Sequence, residues 1–580
     1  MQSRRFNTLI NLFVIGLFFV FPLAYLVFEY LTSVSYPLLL SIVVSFATTY
    51  FILKKFNTQI EWKIKIWQLT VAVILFLVPN LFWNVQNGWL DAEGNFYSES
   101  DRTQHVSYVN QLLVSKNIPI NDPYMQDKKV VYSLSPELVV AFFSKVTGAS
   151  PYDVFKIIFP FSRFIFIILI LNAFSSISTS KKNFLLFLVF SGTMAHMASF
   201  AGWVSWTIGH ITFLIILNML IQKDDVDVKK IGFLNGVMAF QYLPLTILFS
   251  FAYFIYLLKN KNTKNALIFT AITLSLSLPW LLLILSNYDN YISEVNPVNL
   301  QTMYRFGFFI FWVLVITILF YRKRMLKNNL HYLIIFALWG ILSLFKVHWI
   351  SISLLLLISG NLILLAFKKS KWAEIGMLCV LLEVIYMAFG TKMFYAVKLE
   401  RMYAFVLVFG LSELFKEHNK KKISVFVISM FIVLGSYHLY GVLKESANAF
   451  VKMDFTEDKV SKYDIDAYNW INNNQIESKT FIVSYYKNFV FCPLSALTKN
   501  NMYYCSKMIA ITQGYDYSGY VETIESLKEN PEKISGLEGI DYIFISSDNI
   551  DEYSSVINYC HTNNSCEIVY SNKTEIIKIT

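Results

Sequence analysis

Charge is scarce in this chain of 580 residues: Asp, Glu, Lys and Arg together make up 15%, against 56% hydrophobic residues. A soluble globular domain carries about 25% charged residues, so the shortage excludes an ordinary soluble protein. Mean hydropathy is +0.49, and apolar stretches of membrane-spanning length recur through roughly the first 440 residues. A small-residue cleavage site is missing after the basic start Met1–Arg5 and the apolar run Leu9–Leu31. That run therefore reads as a start-transfer anchor rather than a removed signal. Cysteine is scarce too, with five residues, and there is no Cys-x-x-Cys pair near histidines to suggest a zinc knuckle. The net charge of +10 does not point to nucleic acid, because Lys and Arg cluster in short segments between hydrophobic runs. The abundant Tyr and Phe suit helix packing and interfacial rings.

The expected spans are 8–29, 34–53, 67–84, 154–176, 183–200, 205–222, 266–286, 305–321, 331–345, 348–367, 373–390, 402–415 and 422–441. The stretch 231–258 is long for one crossing and has basic segments at both ends (Lys229-Lys230; Lys259, Lys261, Lys264). Two short crossings with a tight outer turn at Gln241-Tyr242-Leu243-Pro244 keep both ends on one side, and such a backbone break is tolerable where protein covers it. The charge bias then agrees along the chain. Arg4, Arg5, Lys54, Lys55, Lys63, Lys65, Lys181, Lys182, Lys229, Lys230, Arg322, Lys323, Arg324, Lys327, Lys368, Lys369, Lys371, Lys420, Lys421 and Lys422 fall inside. The loop 85–152, the loop 287–304, the turn 391–401 and everything after about 442 fall outside. The expected fold is a polytopic α-helical membrane protein of about 13–15 transmembrane helices, N-terminus cytoplasmic, in the cell membrane. It divides into a membrane domain, 1–442, and a small extracytoplasmic α/β domain, 443–580.

The tail mixes short alternating runs (Thr480-Phe481-Ile482-Val483-Ser484; Ile540-Asp541-Tyr542-Ile543-Phe544-Ile545) with helical stretches such as Val521–Leu527, which favours an α/β arrangement. Cys379 falls in an apolar span and reads as packing. The other four cysteines lie in the tail at close spacing, which fits two local disulfides, Cys492–Cys505 and Cys560–Cys566, with four plain thiols as the alternative. Asn563-Asn564-Ser565 and Asn572-Lys573-Thr574 match N-glycosylation acceptors.

The outer loop carries Glu99-Ser100-Asp101-Arg102-Thr103-Gln104-His105, a concentration of polar groups that the other spans lack. On an extended segment Glu99 and Asp101 could converge on one cavity, whereas on a regular helix they diverge. Transfer of a sugar to a hydroxyl or amide needs a carboxylate that takes the acceptor's proton. Asp101 is the preferred base or acceptor-orienting group, with Glu99 a helper or cation ligand. Two carboxylates suit a divalent cation or none. Arg102 and His105 are near enough to tune the pair or hold a phosphate, and a merely hydrated acidic loop is the plain alternative. Further on come Asn110, the turn former Asp122-Pro123 and Tyr132-Ser133-Leu134-Ser135-Pro136-Glu137. Residues 134–147 are apolar on one side and could form a helix along the membrane surface, roofing a cavity.

Other outer edges add candidates for substrate binding: His210 and His196 beside Trp203 and Trp206, Glu294, and Lys346 with His348. A lipid-phosphate donor needs cations at this depth. Arg401 and Arg305 are best placed, with Lys398 near by; snorkelling, or an Arg401–Glu400 pair, is the alternative.

This arrangement resembles the C superfamily of integral-membrane glycosyltransferases (GT-C), which use polyprenyl-phosphate sugars. The resemblance rests on Glu99-Ser100-Asp101 in a large outer loop, the stretch Gln111–Pro123, Tyr132, and Thr147-Gly148-Ala149-Ser150-Pro151-Tyr152-Asp153. In the tail it rests on Asp464–Ile471 and Gly539–Ile545. It looks most like mannosyltransferase-like members. It implies that Asp101 is the catalytic or acceptor-orienting acid, Glu99 its motif partner and Arg401 a donor-phosphate contact. Tyr291-Ile292-Ser293-Glu294 resembles the short acidic motif of oligosaccharyltransferases, but the tail has no Trp-Trp-Asp tripeptide. The motif loop also follows the third expected span, whereas the usual member has it after the first. The implied partners are a polyprenyl-phosphate-linked sugar donor, a glycan, lipid or protein acceptor and membrane lipids, with no nucleic acid. A polysaccharide polymerase or ligase is the nearest alternative, but it would lean on paired arginines and this loop has Arg102 alone. A transporter or flippase would place more charge near the membrane centre.

Overall fold

The computed structural model describes residues 16, 20–31, 36–56, 61–74, 89–90, 96–97, 100–115, 120–130, 134–177, 204–222, 226–287, 375, 459–484, 493–505, 510 and 517–580. Within these the chain is a mostly α-helical body joined to a small open α/β region. Helix α1 (Phe21–Leu26) runs into a π-helical turn at Val27–Leu31, followed by α2 (Pro37–Phe56) and α3 (Ile66–Ala72). The first loop contributes β1 (Trp89–Leu90), β2 (Phe96–Tyr97), α4 (Ser100–Val114) and α5 (Ser135–Thr147). Pro136 sits at the start of α5, where a missing N–H costs nothing, and Gly148 ends it at φ +71°, the left-handed cap that glycine adopts freely. A helix thus forms over the expected stretch, but it buries Leu138, Val139, Val140, Ala141 and Phe142, five consecutive residues that cover all its faces rather than one side.

Helices α6 (Pro151–Ile177), α7 (Val204–Gln222), α8 (Val228–Met238), α9 (Leu243–Lys259) and α10 (Thr263–Asn287) follow. Among the described residues two segments, Pro151–Ala173 and Thr263–Leu282, are long and apolar enough to cross a membrane. Helices α6 and α7 run side by side in the same direction. Phe166 meets His210 (centroids 6.3 Å apart), Asn172 donates to Asn218 (3.1 Å), and Gln222 donates to the Ser176 hydroxyl (3.0 Å). The far ends of both helices grip the segment Glu61–Lys65: Asn172 bonds the Glu61 carbonyl and the Lys63 N–H, and Gln222 bonds both backbone groups of Glu61. The near end of α6 meets the first loop instead, through Tyr152 and Phe155. Loop and Glu61–Lys65 therefore lie at opposite ends of a helix about 40 Å long.

The break expected inside 231–258 falls at residues 239–242, between α8 and α9, and is closed by Gln241 and Tyr242 N–H bonds to Met238 O. Both pieces are short: α8 has 11 residues and α9 has 17, rises of about 17 and 26 Å against a hydrocarbon core of about 30 Å. Helix α10 lies parallel to α8 at very close range. A Cβ on Gly232 would sit 3.3 Å from the Ile272 Cβ, and one on Gly236 would sit 2.7 Å from the Leu276 Cβ. Only glycine permits that approach.

The tail supplies β3 (Lys459–Val460), α11 (Lys462–Asn473), β4 (Thr480–Val483), α12 (Pro493–Thr498), β5 (Asn501–Met502), α13 (Ser518–Glu529), β6 (Tyr542–Ile545), α14 (Ser554–Thr562), β7 (Cys566–Ser571) and β8 (Glu575–Ile579). Its five-stranded sheet has the order β5-β4-β6-β8-β7. Strands β5, β4 and β6 are parallel, in keeping with the near-continuous apolar runs Phe481–Val483 and Ile543–Ile545, which are buried. Strands β8 and β7 close the sheet in antiparallel fashion. The α/β expectation for the tail therefore holds. Cys560 and Cys566 form a disulfide between α14 and β7. Cys505 is also disulfide-bonded, and its expected partner, Cys492, lies outside the described residues.

Candidate functional site

The first loop and the tail fold as one unit. In a separate antiparallel sheet β2 pairs with β3, Phe96 opposite Val460 and Tyr97 opposite Lys459, while β1 pairs with the other edge of β2. A second junction extends the tail's main sheet past β5. Met502 N–H donates to Pro123 O (2.8 Å), Gln126 N–H to Tyr503 O (3.1 Å) and Cys505 N–H to Tyr124 O (3.1 Å). The turn former Asp122-Pro123 thus has a structural part here, and the Asp122 carboxylate also accepts from the Tyr124 N–H at 2.9 Å. Tyr520 donates its hydroxyl to Gln126 O (3.0 Å). Gly539, at φ +70°, leaves room for the Gln126 side chain, whose Nε2 would stand 2.5 Å from a Cβ there.

Helix α4 is held on two stripes. Thr103, Ser107 and Asn110 fall at helical spacing on one. Ser107 exchanges a hydrogen bond with the Ser495 hydroxyl (2.8 Å), Asn110 donates to the carbonyls of Ser495 (3.1 Å) and Ala496 (2.7 Å), and Tyr124 donates to Ser107 (2.7 Å). Burial pushes the Tyr124 phenol well above its ordinary value, so it stays a neutral donor. Thr103 meets the Tyr152 hydroxyl at 3.2 Å, tying the same stripe to α6.

The second stripe carries Asp101, His105, Tyr108 and Leu112 at i, i+4, i+7 and i+11. His105 is buried, and its Nδ1 is hydrogen-bonded to the carboxylate of Glu137 on α5. Tyr108 and Phe155 set their rings against the imidazole at 6.5 and 6.3 Å. The sequence offers His105 as a phosphate or substrate group, but in the structure it closes the contact between α4 and α5. Asp101 is the second residue of α4, in the turn where the helix dipole favours an anion. Arg102 follows it on the helix. Glu99 lies outside the described residues, and so do Glu294, Arg305, Lys346, His348, Lys398 and Arg401. His210, in the second turn of α7, is buried, stacks on Tyr242 (6.1 Å) and meets Phe166 edge-on. Thr212 and Gln241 are hydrogen-bonded near by. Among the described residues no group of three or more His, Cys, Asp or Glu is arranged to hold a metal.

Glu137 is the residue whose part the sequence does not announce. It stands in the first turn of α5, and its only signal is a carboxylate among positions that the helix turns inward. No family model matches the chain, and no curated protein matches it.

Proposed function

We propose that this protein is a membrane glycosyltransferase of GT-C type, moving a sugar from a polyprenyl-phosphate donor to an extracytoplasmic glycan, lipid or protein acceptor. The observation that carries this reading is the construction of the first loop. Asp101 stands in the first turn of a helix held on one stripe by the tail and α6 and on the other by α5 and α6. A candidate base needs such a fixed platform beside an apolar bundle, and a merely hydrated loop does not. The directions of the helices support the charge-derived topology. Parallel α6 and α7 fit an intervening crossing at 183–200. Lys63 and Lys65, expected inside, belong to the segment at the end of α6 opposite the loop.

In this reading the donor enters from the outer leaflet with its phosphate near Arg401, Arg305 and Lys398. The acceptor oxygen attacks the anomeric carbon, Asp101 takes the acceptor's proton, and the bond from that carbon to the phosphate oxygen breaks. Polyprenyl phosphate leaves with the bonding electrons, and the cations stabilise its charge. Glu99 assists Asp101 or shares a divalent cation with it.

The test uses purified protein in proteoliposomes with polyprenyl-phosphomannose, reading labelled mannose transferred. Asp101→Asn should lower turnover at least about 100-fold, a typical general-base contribution, with unchanged abundance in the membrane. Wild-type turnover in that variant would remove Asp101 from the role. Failure of the wild type to release sugar from any polyprenyl-phosphate hexose would sink the reading.

A further inference from the structure

Glu137 is an expensive side chain for its position. It is 0% exposed, on a helix whose neighbouring inward residues Leu138, Ala141 and Phe142 are apolar, and among the described residues its Oε2 has no hydrogen-bond partner. A buried carboxylate is costly unless well paired, and a half-satisfied one costs more than a leucine of similar volume. The dipole of α5 favours a negative charge in this first turn but does not replace a missing partner. What the carboxylate does make is one bond, to Nδ1 of His105, which is 3% exposed. A carboxylate on Nδ1 is the usual means of fixing an imidazole's tautomer and ring plane. His105 in turn stands one helical turn after Asp101 on the same stripe of α4.

We propose that Glu137 and His105 are positioning residues for the candidate base: Glu137 accepts the Nδ1–H of His105, and the fixed imidazole sets the placement and charge environment of the α4 turn that carries Asp101. This rests on the reading of Asp101 as the base. Tyr108, Tyr152, Asp153, Lys156 and Lys145 on α4, α5 and α6 have partners of their own. Tyr108 packs edge-on to the imidazole, and Tyr152 on α6 is bonded to Thr103. Asp153 and Lys156 of α6 pair with each other at 3.2 Å, and Lys145 at the end of α5 pairs with Glu29 at 2.5 Å.

The test uses the full chain in lipid nanodiscs, with 15N-histidine and 13C-carboxyl-aspartate labels assigned through His105→Gln and Asp101→Asn. In Glu137→Leu the His105 resonances should lose the Nδ1–H tautomer pattern, and the Asp101 carboxyl resonance should shift from its wild-type position at constant pH. With polyprenyl-phosphomannose, kcat should fall at least about tenfold while KM changes less than about twofold. Glu137→Gln, which keeps an acceptor but no charge, should fall between the two and serves if the leucine variant misfolds. An unmoved Asp101 resonance with wild-type kcat in a folded Glu137 variant overturns the proposal. Normal turnover in Asp101→Asn alongside shifted resonances in Glu137→Leu would instead sink the base assignment and leave the dyad standing. The resonance measurements need no substrate, so they decide the proposal even if the wild type transfers nothing.

Discussion

The side-chain amide of Asn110 donates to the carbonyl of Ala496 at 2.7 Å, across 386 residues of sequence. The same nitrogen reaches the Ser495 carbonyl at 3.1 Å. Both bonds are buried, and they fasten the helix that carries Asp101 in its first turn to the tail domain. The tail is therefore part of the scaffold of the candidate site and not an appendage on a tether.

Asn110→Leu should loosen that seam. It leaves two buried carbonyls short of a donor, at about 1–3 kcal/mol each. The expected result is a lower Tm and faster proteolysis between residues 100 and 130 in detergent-solubilised protein. An unchanged Tm and cleavage pattern would mean that the strand pairings Phe96–Val460 and Met125–Tyr504 hold the two parts together without it.

Local signals were enough for some of this architecture. The apolar face of 134–147 announces α5, the long apolar stretch 231–258 with Pro244 announces a break, and the alternation at 480–484 and 540–545 announces a sheet. The seam between loop and tail was not legible, because Ser107 and Ser495 are two serines in polar surroundings and nothing local links them. His105 and Glu137 were hidden for a related reason. In a sequence, a buried hydrogen-bonded pair between two helices looks the same as two hydrated polar side chains in a loop. The sequence leaves open whether Asp101 stands on extended chain or on a helix, and it stands in the first turn of a helix. The loop's helix has little apolar periodicity, because one stripe is built from Thr103, Ser107 and Asn110 and meets polar groups.

Asp464 provides a pH test of the tail. Burial pushes its carboxyl above the ordinary 3.8, and hydrogen bonds from Thr574, Ser546, the Ser547 N–H and Ser461 pull it part of the way back. The folded state then binds this proton more tightly than the unfolded chain does. Its contribution to stability is thus fully present below pH 3.8 and is lost as pH rises through the raised folded value. Asp464→Asn cannot ionise. The Tm of the wild type should therefore fall relative to that variant as pH is raised through this window. A Tm difference that stays constant with pH would show that Asp464 does not titrate differently in the two states.

The Cys560–Cys566 disulfide closes a loop of 6 residues. Chain entropy gives such a short closure about 2 kcal/mol. Replacing both cysteines by serine should lower the stability of the tail by about that amount without unfolding it. In the wild type, thiol labelling without reductant should leave Cys505, Cys560 and Cys566 unmodified. Ready labelling of Cys560 in native protein would contradict the bond.

Gly236 and Gly519 form a pair of opposite sign. At Gly236 a Cβ would stand 2.7 Å from Leu276 Cβ and 3.2 Å from Thr273 O, and neither α8 nor α10 can yield there without parting. Gly236→Ala should cost about 1–3 kcal/mol, the usual penalty of overpacking, and Gly236→Leu more. At Gly519, in the first turn of α13, nothing lies within 4 Å of the new carbon. Gly519→Ala should therefore be neutral or stabilising by up to about 1 kcal/mol through helix propensity. Thermal unfolding of the two alanine variants side by side checks the close α8–α10 approach. Equal Tm values for Gly236→Ala and the wild type would mean that the two helices stand further apart than these distances allow.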